Sequence, residues 1–258
     1  MNLGLDASHG RGYRSASQWA RRVTEAWSLD NLYCPACTSP SLAAHTNNRA
    51  VEDYHCPRCA RQVQVKAKNG RIGASISNSA YGKKEAAILA NRAPDYCFLA
   101  YDREALVVND VLWVPGHFIT LSVVSKRKPL NPTAKRHGWV GSNIHLDLIP
   151  SQGKIQLVEA GVTISPTRVR KQFAETAFVS RFPTQRRGWV TDVLACIDAL
   201  DIRSGSSFTN DDIYACEDRL AGLHLGNHNI RPKIRQQLQV LAKHGVVERT
   251  QPGTYRRL

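Results

Sequence analysis

The sequence predicts an α/β protein of two domains, the first containing a four-cysteine zinc site and the second a winged helix-turn-helix. Three observations support this fold class: two closely spaced cysteine pairs, short apolar strands alternating with amphipathic helices, and three helical segments before a final hairpin. A chain of 258 residues suits one large or two ordinary domains. Because the pattern changes near FPTQRRGW, we place the first domain at 1–182 and the second at 183–258.

The charge balance indicates a polyanionic partner. The formal net charge is +14 and the pI is about 9.8, which favours nucleic acid over a membrane surface. A ribosome-like basic protein and charge kept for solubility are the alternatives. The sequence has no apolar run of about 18 residues, and its N-terminus lacks the apolar region of a signal peptide. We therefore expect a cytoplasmic monomer with no membrane partner, whose seven cysteines stay reduced.

The elements of the first domain follow from periodicity and from chain-breaking residues. Ser17–Trp27 has apolar residues at helical spacing and predicts an amphipathic helix. After Gly70, RIGASISNSAYG predicts a loop, and a helix at Lys83–Asn91 ends before Pro94. Further predictions are a buried strand at DYCFLAYD, two short strands turning at Asn109–Asp110 in LVVNDVLWV, a basic loop at SKRKPLNPTAKRH, a strand at KIQLVEAG and a helix at SPTRVRKQFAETAF.

The second domain reads as three helices followed by a hairpin. Thr209 and Asp212 form a capping-box pattern, Pro232 suits a first helical turn, and Gly245 stops the last helix. VVERTQPGTYRRL predicts a hairpin that turns at a Pro-Gly pair, the pattern of a winged helix-turn-helix. The predicted helices are Trp189–Leu200, Thr209–Leu223 and Arg231–His244.

Two cysteine knuckles predict a structural zinc site. Cys34 and Cys37, and after an 18-residue spacer Cys56 and Cys59, form two C-x2-C pairs. This spacing lets both thiolates of each pair reach one tetrahedral Zn²⁺, and four sulfurs leave no open position for chemistry. A redox pair and an iron–sulfur cluster are the alternative interpretations. The remaining cysteines lie in apolar segments and are predicted core residues: Cys97, Cys196 and Cys216.

The second knuckle lies between two short alternating runs, VEDYH and QVQVK. If the knuckle is the tip of a hairpin, a symmetric register pairs Asp53 with Gln64, with Cβ atoms about 5 Å apart. Alternation places Lys66 on the same strand face as Gln64. Glu52 is then expected to point to the other face. We therefore predict a hairpin, with the knuckle at its tip, that brings together the carboxylate of Asp53, the amide of Gln64 and the ammonium of Lys66.

This group suits Mg²⁺-dependent phosphodiester hydrolysis. Asp53, Gln64 and the Val65 carbonyl offer the oxygen ligands that Mg²⁺ takes, and Lys66 can orient a water and offset developing charge. Glu25 on the N-terminal helix is a further acid for the metal or an exposed structural residue. The spacing resembles the PD-(D/E)xK nuclease signature, here D-x10-QVK. A solvated strand face near a zinc ribbon is the alternative.

Together the knuckles, the Asp53/Lys66 pair, RKPLNPTAKRHGWVGSNI and IRQQLQVLAKHGVVE resemble the DpnI-like, Dam-replacing family of methyl-directed type IIM restriction endonucleases. The resemblance covers essentially the whole chain. It implies a bacterial enzyme with a PD-(D/E)xK domain, an inserted zinc site and a winged helix, which cuts G-m6A-T-C in double-stranded DNA to blunt ends. It places Asp53 and Lys66 at the metal-ligand and catalytic-lysine positions. The family has glutamate where this chain has Gln64, so a lower metal affinity is expected here.

The contacts to DNA are predicted from charge and position. Trp139 is proposed as an apolar contact to methyladenine or as a wedge into the duplex, with a core role as the alternative. Arg249, Arg256 and Arg257 would place charge from the wing on the DNA backbone. Five basic residues of the loop are predicted phosphate contacts: Lys126, Arg127, Lys128, Lys135 and Arg136. The predicted groove-facing set of the last helix is Arg231, Lys233, Arg235, Gln236 and Gln237.

Two functions therefore remain open at the level of sequence. The first is an endonuclease for N6-methylated DNA that uses catalytic Mg²⁺ and structural Zn²⁺. The second is a non-catalytic reader of methylated DNA, a zinc-ribbon and winged-helix protein in which Gln64 marks a lost active site. Both predict DNA binding, and they differ in metal-dependent cleavage.

Overall fold

The computed structural model describes residues 1–45 and 53–258, so the expectation for Glu52 lies outside the described residues. Within those ranges, no helix has the length and apolar character needed to cross a membrane. The strands are β1 (Ala43–Ala44), β2 (Tyr54–His55), β3 (Gln62–Asn69), β4 (Ser75–Ala80), β5 (Asp95–Asp102), β6 (Val107–Val114), β7 (Val124–Lys126), β8 (Gly141–His145), β9 (Ile155–Glu159), β10 (Val162–Thr163), β11 (Ser207–Thr209), β12 (Val247–Gln251) and β13 (Thr254–Arg257). The α-helices are α1 (Ala16–Asn31), α2 (Tyr81–Leu89), α3 (Pro166–Ser180), α4 (Thr184–Ala199), α5 (Asn210–Tyr214), α6 (Glu217–Leu223) and α7 (Ile230–Lys243).

A seven-stranded sheet organises the first part of the chain, in the order β1-β2-β3-β5-β6-β9-β10. β3 and β5 pair in parallel, and the other neighbours pair antiparallel. The connection from β3 to β5 carries β4 and α2, as a parallel pair requires a crossover. A smaller sheet, β4-β8-β7, lies beside this crossover. The fold is therefore mixed α/β, as predicted.

Alternate residues of β5 pack into two separate cores. Cys97 and Leu99 face the core that contains Trp27 of α1. Tyr96 and Phe98 belong to the other core, which contains α2 and the helices α4 and α7. Since both faces of β5 are buried, the strand is apolar almost throughout.

Most predicted elements of the first part are confirmed, including α1, α2, β5, β9 and α3. Two predictions are wrong. The segment predicted as a loop contains β4, whose small polar residues have weak strand preference and depend on pairing with β8. The two short strands predicted around Asn109–Asp110 form one strand, β6, because a bulge opposite Ala100 and Tyr101 accommodates the pair without a turn.

The C-terminal part is a helix-turn-helix domain with a terminal hairpin. Its first helix starts earlier than predicted, at Thr184, and the predicted helix Thr209–Leu223 is divided into α5 and α6. The Thr209/Asp212 capping box is confirmed. Gly245 has φ +69° directly after α7, and Gly253 has φ +78° in the hairpin turn, conformations that favour glycine. The three cysteines outside the knuckles are buried, as predicted: Cys97, Cys196 and Cys216.

The two parts of the chain share one core and several polar contacts. Ser122 donates a hydrogen bond to Asp192 of α4 at 2.7 Å, and Asp192 also pairs with His224 at 2.9 Å. At the C-terminus, Arg257 contacts Asp198 of α4 at 2.7 Å and the Ser151 hydroxyl at 3.0 Å. These contacts join the helix-turn-helix to two turns of the first part of the chain, at Ser122 and at Ser151.

Candidate functional site

The four knuckle cysteines converge on one point. Their sulfur atoms all lie within 4.8 Å of one another. The Cys34–Cys59 sulfur pair is separated by 3.7 Å and the Cys37–Cys56 pair by 3.5 Å. Four thiolates bound tetrahedrally to Zn²⁺ at about 2.3 Å would lie about 3.8 Å apart. The sulfur positions therefore fit a tetrahedral zinc ion.

The two cysteine knuckles are joined to the rest of the domain by hydrogen bonds. Arg170 of α3 donates to the Cys37 carbonyl at 2.7 Å and to the Ser39 carbonyl at 3.4 Å. Within the knuckles, the N–H of Ser39 points at the Cys37 sulfur and that of Cys59 at the Cys56 sulfur. The first knuckle is thus tied to α3, and the second leads directly into β3.

The fold-back at the second knuckle has the register predicted from the sequence. Tyr54 pairs with Val63, and the Asp53 N–H donates to the Val63 carbonyl at 3.0 Å. The pairing of β2 with β3 ends at Tyr54 and Val63, and Asp53 and Gln64 are the next residues along the two segments. The Asp53 carboxylate accepts a hydrogen bond from the Val65 N–H at 2.9 Å. Since the N–H and carbonyl of a strand residue leave the same edge, the Val65 carbonyl lies on the Asp53 side.

Gln64 is almost fully buried, with 3% of its surface exposed. Its Oε1 has no hydrogen-bond donor among the described residues. A buried carbonyl oxygen without a partner is uncommon because it loses its hydration and gains nothing in return. The oxygen is therefore available to coordinate a cation bound in its vicinity.

Asp53 and Lys66 influence each other's ionisation. Loss of hydration raises the pKa of Asp53, while the Lys66 charge and the Val65 N–H act in the opposite direction. Burial lowers the pKa of Lys66, and the negative charge of Asp53 opposes that shift. The pair thus places an acid and an amine of opposite charge in a partly desolvated setting, a common feature of functional sites.

A cleft lined by α1, β2, β3 and the end of β4 opens above these residues. Asp53, Gln64, Val65 and Lys66 all line it, so the structure brings together the residues predicted for the site. Glu25 lines it as well. The Glu25 carboxylate pairs with Arg21 at 2.7 Å and with Arg22 at 3.8 Å. It therefore lies at the cleft, already engaged by two arginines of its own helix.

Two residues beneath the cleft were not predicted. Lys84 of α2 is 2% exposed and hydrogen-bonds to the hydroxyl of Tyr96, which is fully buried. Tyr96 lies beside Gln64 in the parallel pairing of β3 and β5. One sequence signal was available: Lys84 precedes Ile88 by four residues, so it occupies the apolar face of the helix.

The predicted phosphate-contacting loop is exposed and joined to the rim of the cleft. The predicted loop starts too early, since Ser125 and Lys126 belong to β7; the remainder connects β7 to β8. β8 pairs with β4, whose Ser79 lines the cleft. Trp139 is half-buried at the base of the loop, where Arg136 lies 5.5 Å above its ring. A Cβ at Gly141 would come within 2.8 Å of this ring, so glycine is required for the tryptophan to lie there. The exposed basic residues are Lys126, Arg127, Lys128, Lys135 and Arg136.

The outward face of α7 differs from the predicted set. Gln237 is fully buried, so its assignment as a groove-facing residue is wrong; it follows Ile234 by one turn on the core side of the helix. Gln239 is exposed and was missed, although it lies four residues after Arg235. Lys233 is half-buried over Trp189. The exposed members of the predicted set are Arg231, Arg235 and Gln236.

Several arginines that were predicted to contact DNA, on α7 and on the C-terminal hairpin, form hydrogen bonds or ion pairs with neighbouring side chains. Arg231 pairs with Glu217 at 2.7 Å, and Arg235 donates to the Tyr214 hydroxyl at 2.7 Å. Arg256 pairs with Glu248 across the hairpin. Arg257 is largely buried and bound to Asp198, so its assignment as a wing residue that contacts the DNA backbone is wrong.

Comparison with known protein families agrees with this organisation. The DpnI model of the Dam-replacing family matches residues 1–182, and the model of the Dam-replacing helix-turn-helix domain matches residues 185–257. The chain therefore belongs to the DpnI-like Dam-replacing family, a family of methyl-directed restriction enzymes that carry a helix-turn-helix domain.

Proposed function

We propose that this protein is a Mg²⁺-dependent endonuclease of the PD-(D/E)xK type, which hydrolyses double-stranded DNA at N6-methyladenine in GATC and leaves blunt ends. The first 182 residues would form the catalytic domain and 183–258 the second DNA-binding domain. One observation carries the proposal: Asp53, the unpartnered Gln64 oxygen and Lys66 meet in a single cleft. Family membership adds the methyl-directed specificity.

Each of the four predicted site residues in the cleft has a defined part in this chemistry. Asp53, the Gln64 Oε1 and the Val65 carbonyl would hold the Mg²⁺ ion, matching the oxygen ligands that this ion takes. Bound there, Mg²⁺ supplies polarisation of the scissile phosphate and a lowered pKa for a water ligand. Lys66, beside Asp53, orients the attacking water and offsets the negative charge that develops on the phosphorane.

Methyl recognition requires more than burial of the methyl groups. An adenine N6-methyl group projects into the major groove, and burying it contributes only about 0.8 kcal/mol, or roughly fourfold in affinity. Two methyls of a palindromic site give about 1.6 kcal/mol, or roughly fifteenfold. Two separate reading modules would compound this preference. We propose Trp139 as the apolar contact in the first domain and the exposed face of α7 as the reading surface in the second.

A plasmid assay tests this proposal. Dam-methylated and unmethylated forms of one plasmid are incubated with the zinc-loaded protein, in Mg²⁺ or in EDTA. We expect blunt fragmentation at GATC only for the methylated plasmid in Mg²⁺. Fragmentation of both plasmids would contradict methyl direction, and fragmentation in EDTA would contradict the metal mechanism.

The same assay distinguishes the endonuclease from a second candidate function, a non-catalytic reader of methylated DNA. The observation that favours a reader is the amide at position 64, because an amide contributes no charge to metal binding. A reader would retard the methylated plasmid in a gel and leave it intact in Mg²⁺.

The loop between β7 and β8 should contribute affinity without sequence information. Replacing Lys135 by alanine is expected to weaken binding to methylated and unmethylated duplexes by the same factor, because a phosphate contact is the same in both. The slope of log K against log salt should fall by about one unit. Fluorescence anisotropy over a salt series measures both quantities.

Lys171→Ala is the matched control for this measurement, since Lys171 is exposed on α3. It should leave the salt dependence unchanged. A Lys135→Ala protein that loses its preference for methylated DNA would assign the residue to base reading instead.

A further inference from the structure

Beneath the cleft lies a lysine to which the proposed chemistry gives no role. Lys84 is 2% exposed, and no described carboxylate lies within ion-pair distance of its Nζ. A buried amine without an acidic partner is costly, because the charged form loses its hydration. Placed on the inner face of α2, the side chain points toward the sheet that carries the site.

Lys84 is connected to position 64 through Tyr96. Its Nζ hydrogen-bonds to the Tyr96 hydroxyl and lies 4.5 Å from the centre of the ring. Gln64 and Tyr96 are register partners on adjacent strands, which lie about 4.8 Å apart, so both side chains leave the same face of the sheet. Lys84 therefore contacts Tyr96, whose side chain leaves the sheet next to that of the proposed metal ligand Gln64.

Burial and the charges of the proposed site shift the pKa values of both Lys84 and Tyr96. Burial lowers the pKa of Lys84 to about 7, and the positive charge of Lys66 on β3 adds to that shift. Burial also raises the pKa of Tyr96, with a further contribution from the negative charge of Asp53. The groups facing Lys84 are thus a second amine and a neutral phenol, with Asp53 beyond them.

We propose that Lys84 is a positioning residue of the hydrolytic site, which fixes the side chain of Tyr96, the strand neighbour of Gln64, and makes glutamine the matching side chain at position 64. This inference rests on the proposed function, because it takes Gln64 as a metal ligand. A carboxylate at position 64 would attract a proton onto the Lys84 amine. The resulting ammonium would cancel the charge that the carboxylate offers to a metal ion. An amide oxygen causes no such change.

A double-mutant cycle tests the inference. Calorimetry measures the Kd for Mn²⁺ of the zinc-loaded full chain without DNA, for the parent, Gln64→Glu, Lys84→Met and the double variant. With Lys84 present, Gln64→Glu is expected to change the Kd by less than about threefold. With methionine at position 84, the same substitution should tighten binding at least about tenfold, because the added carboxylate then acts on the metal alone.

Additivity would overturn the inference: the same factor for Gln64→Glu in both backgrounds means that Lys84 does not act on position 64. Absence of Mn²⁺ binding in all four proteins would overturn it as well. Lys83→Met is the matched control, since Lys83 is the exposed neighbour on α2; its cycle with Gln64→Glu should be additive. Lys84→Gln is a second uncharged variant should methionine disturb the fold, and it is expected to show the same coupling.

Plasmid cleavage by the same proteins separates this inference from the proposed function. Coupling in Mn²⁺ binding without cleavage by any variant would refute the nuclease and leave the link from Lys84 to position 64 intact. Metal-dependent cleavage by the parent together with an additive cycle would refute the link and leave the nuclease intact.

Discussion

Alanine in place of Lys66 is expected to lower the rate of DNA cleavage by about a thousandfold, while the affinity for methylated DNA stays within about twofold. The expectation follows from the position of Lys66, which lines the same cleft as Asp53 and whose positive charge lowers the pKa of that carboxyl more than the charge of Arg21 does. Removal of one group that stabilises transition-state charge typically costs 10²–10³ in rate, about 2.7–4 kcal/mol. Single-turnover cleavage and anisotropy in Ca²⁺ measure the two effects separately.

Lys68→Ala is the matched control, because Lys68 lies on the same strand and is exposed. It should cleave within about twofold of the parent. Asp53→Ala is expected to be as inactive as Lys66→Ala and, in addition, to lose its response to added metal. A Lys66→Ala protein that cuts at the parental rate would contradict the assignment of the site, and one that no longer binds DNA would show that Lys66 serves binding instead of catalysis.

The parts of the site that depend on short-range patterns were predictable from sequence. The spacing of Cys34, Cys37, Cys56 and Cys59 defines a tetrahedral set whatever the surrounding fold, and the sulfurs do converge. The register of the hairpin formed by β2 and β3 was also predictable from the sequence. A tight tip leaves few ways to pair two alternating strands, and a slip of one residue would have turned Gln64 to the opposite face.

Features set by distant partners were not predictable. β4 is a strand because β8 lies beside it, and the preference of SISNSA alone does not reveal this partner. Periodicity was available for α7, yet Gln237 was assigned to the groove by residue type when its position belongs to the core face. Lys84 is a similar case, because its position predicts burial and its residue type predicts exposure. For Gln237 and Lys84 the helix period gave the correct result and the residue type did not.

Replacing Cys56 by serine is expected to cost both zinc and activity. Cys56 is fully buried and begins the turn that leads into β3, so its loss removes one zinc ligand and the clamp on the fold-back together. Structural zinc sites contribute folding free energy directly. A loss of several kcal/mol would lower the Tm of a chain of this size by about 10 °C or more. Calorimetric melting, zinc content by atomic absorption and plasmid cleavage give the three readouts.

Cys216→Ser is the control for the loss of a buried thiol, since Cys216 lies in the helix-turn-helix domain, away from the zinc ligands. It should keep full zinc content and cleavage. Comparing Cys56→Ser with Cys216→Ser separates the effect of losing the zinc site from the effect of a general loss of stability. If the zinc-free Cys56→Ser protein still cleaved methylated plasmid at the parental rate, the fold-back would hold Asp53 against Gln64 without the metal, and the zinc site would serve the fold alone. We expect the opposite result, because β2 is only two residues long and its pairing with β3 depends on the knuckle that joins them.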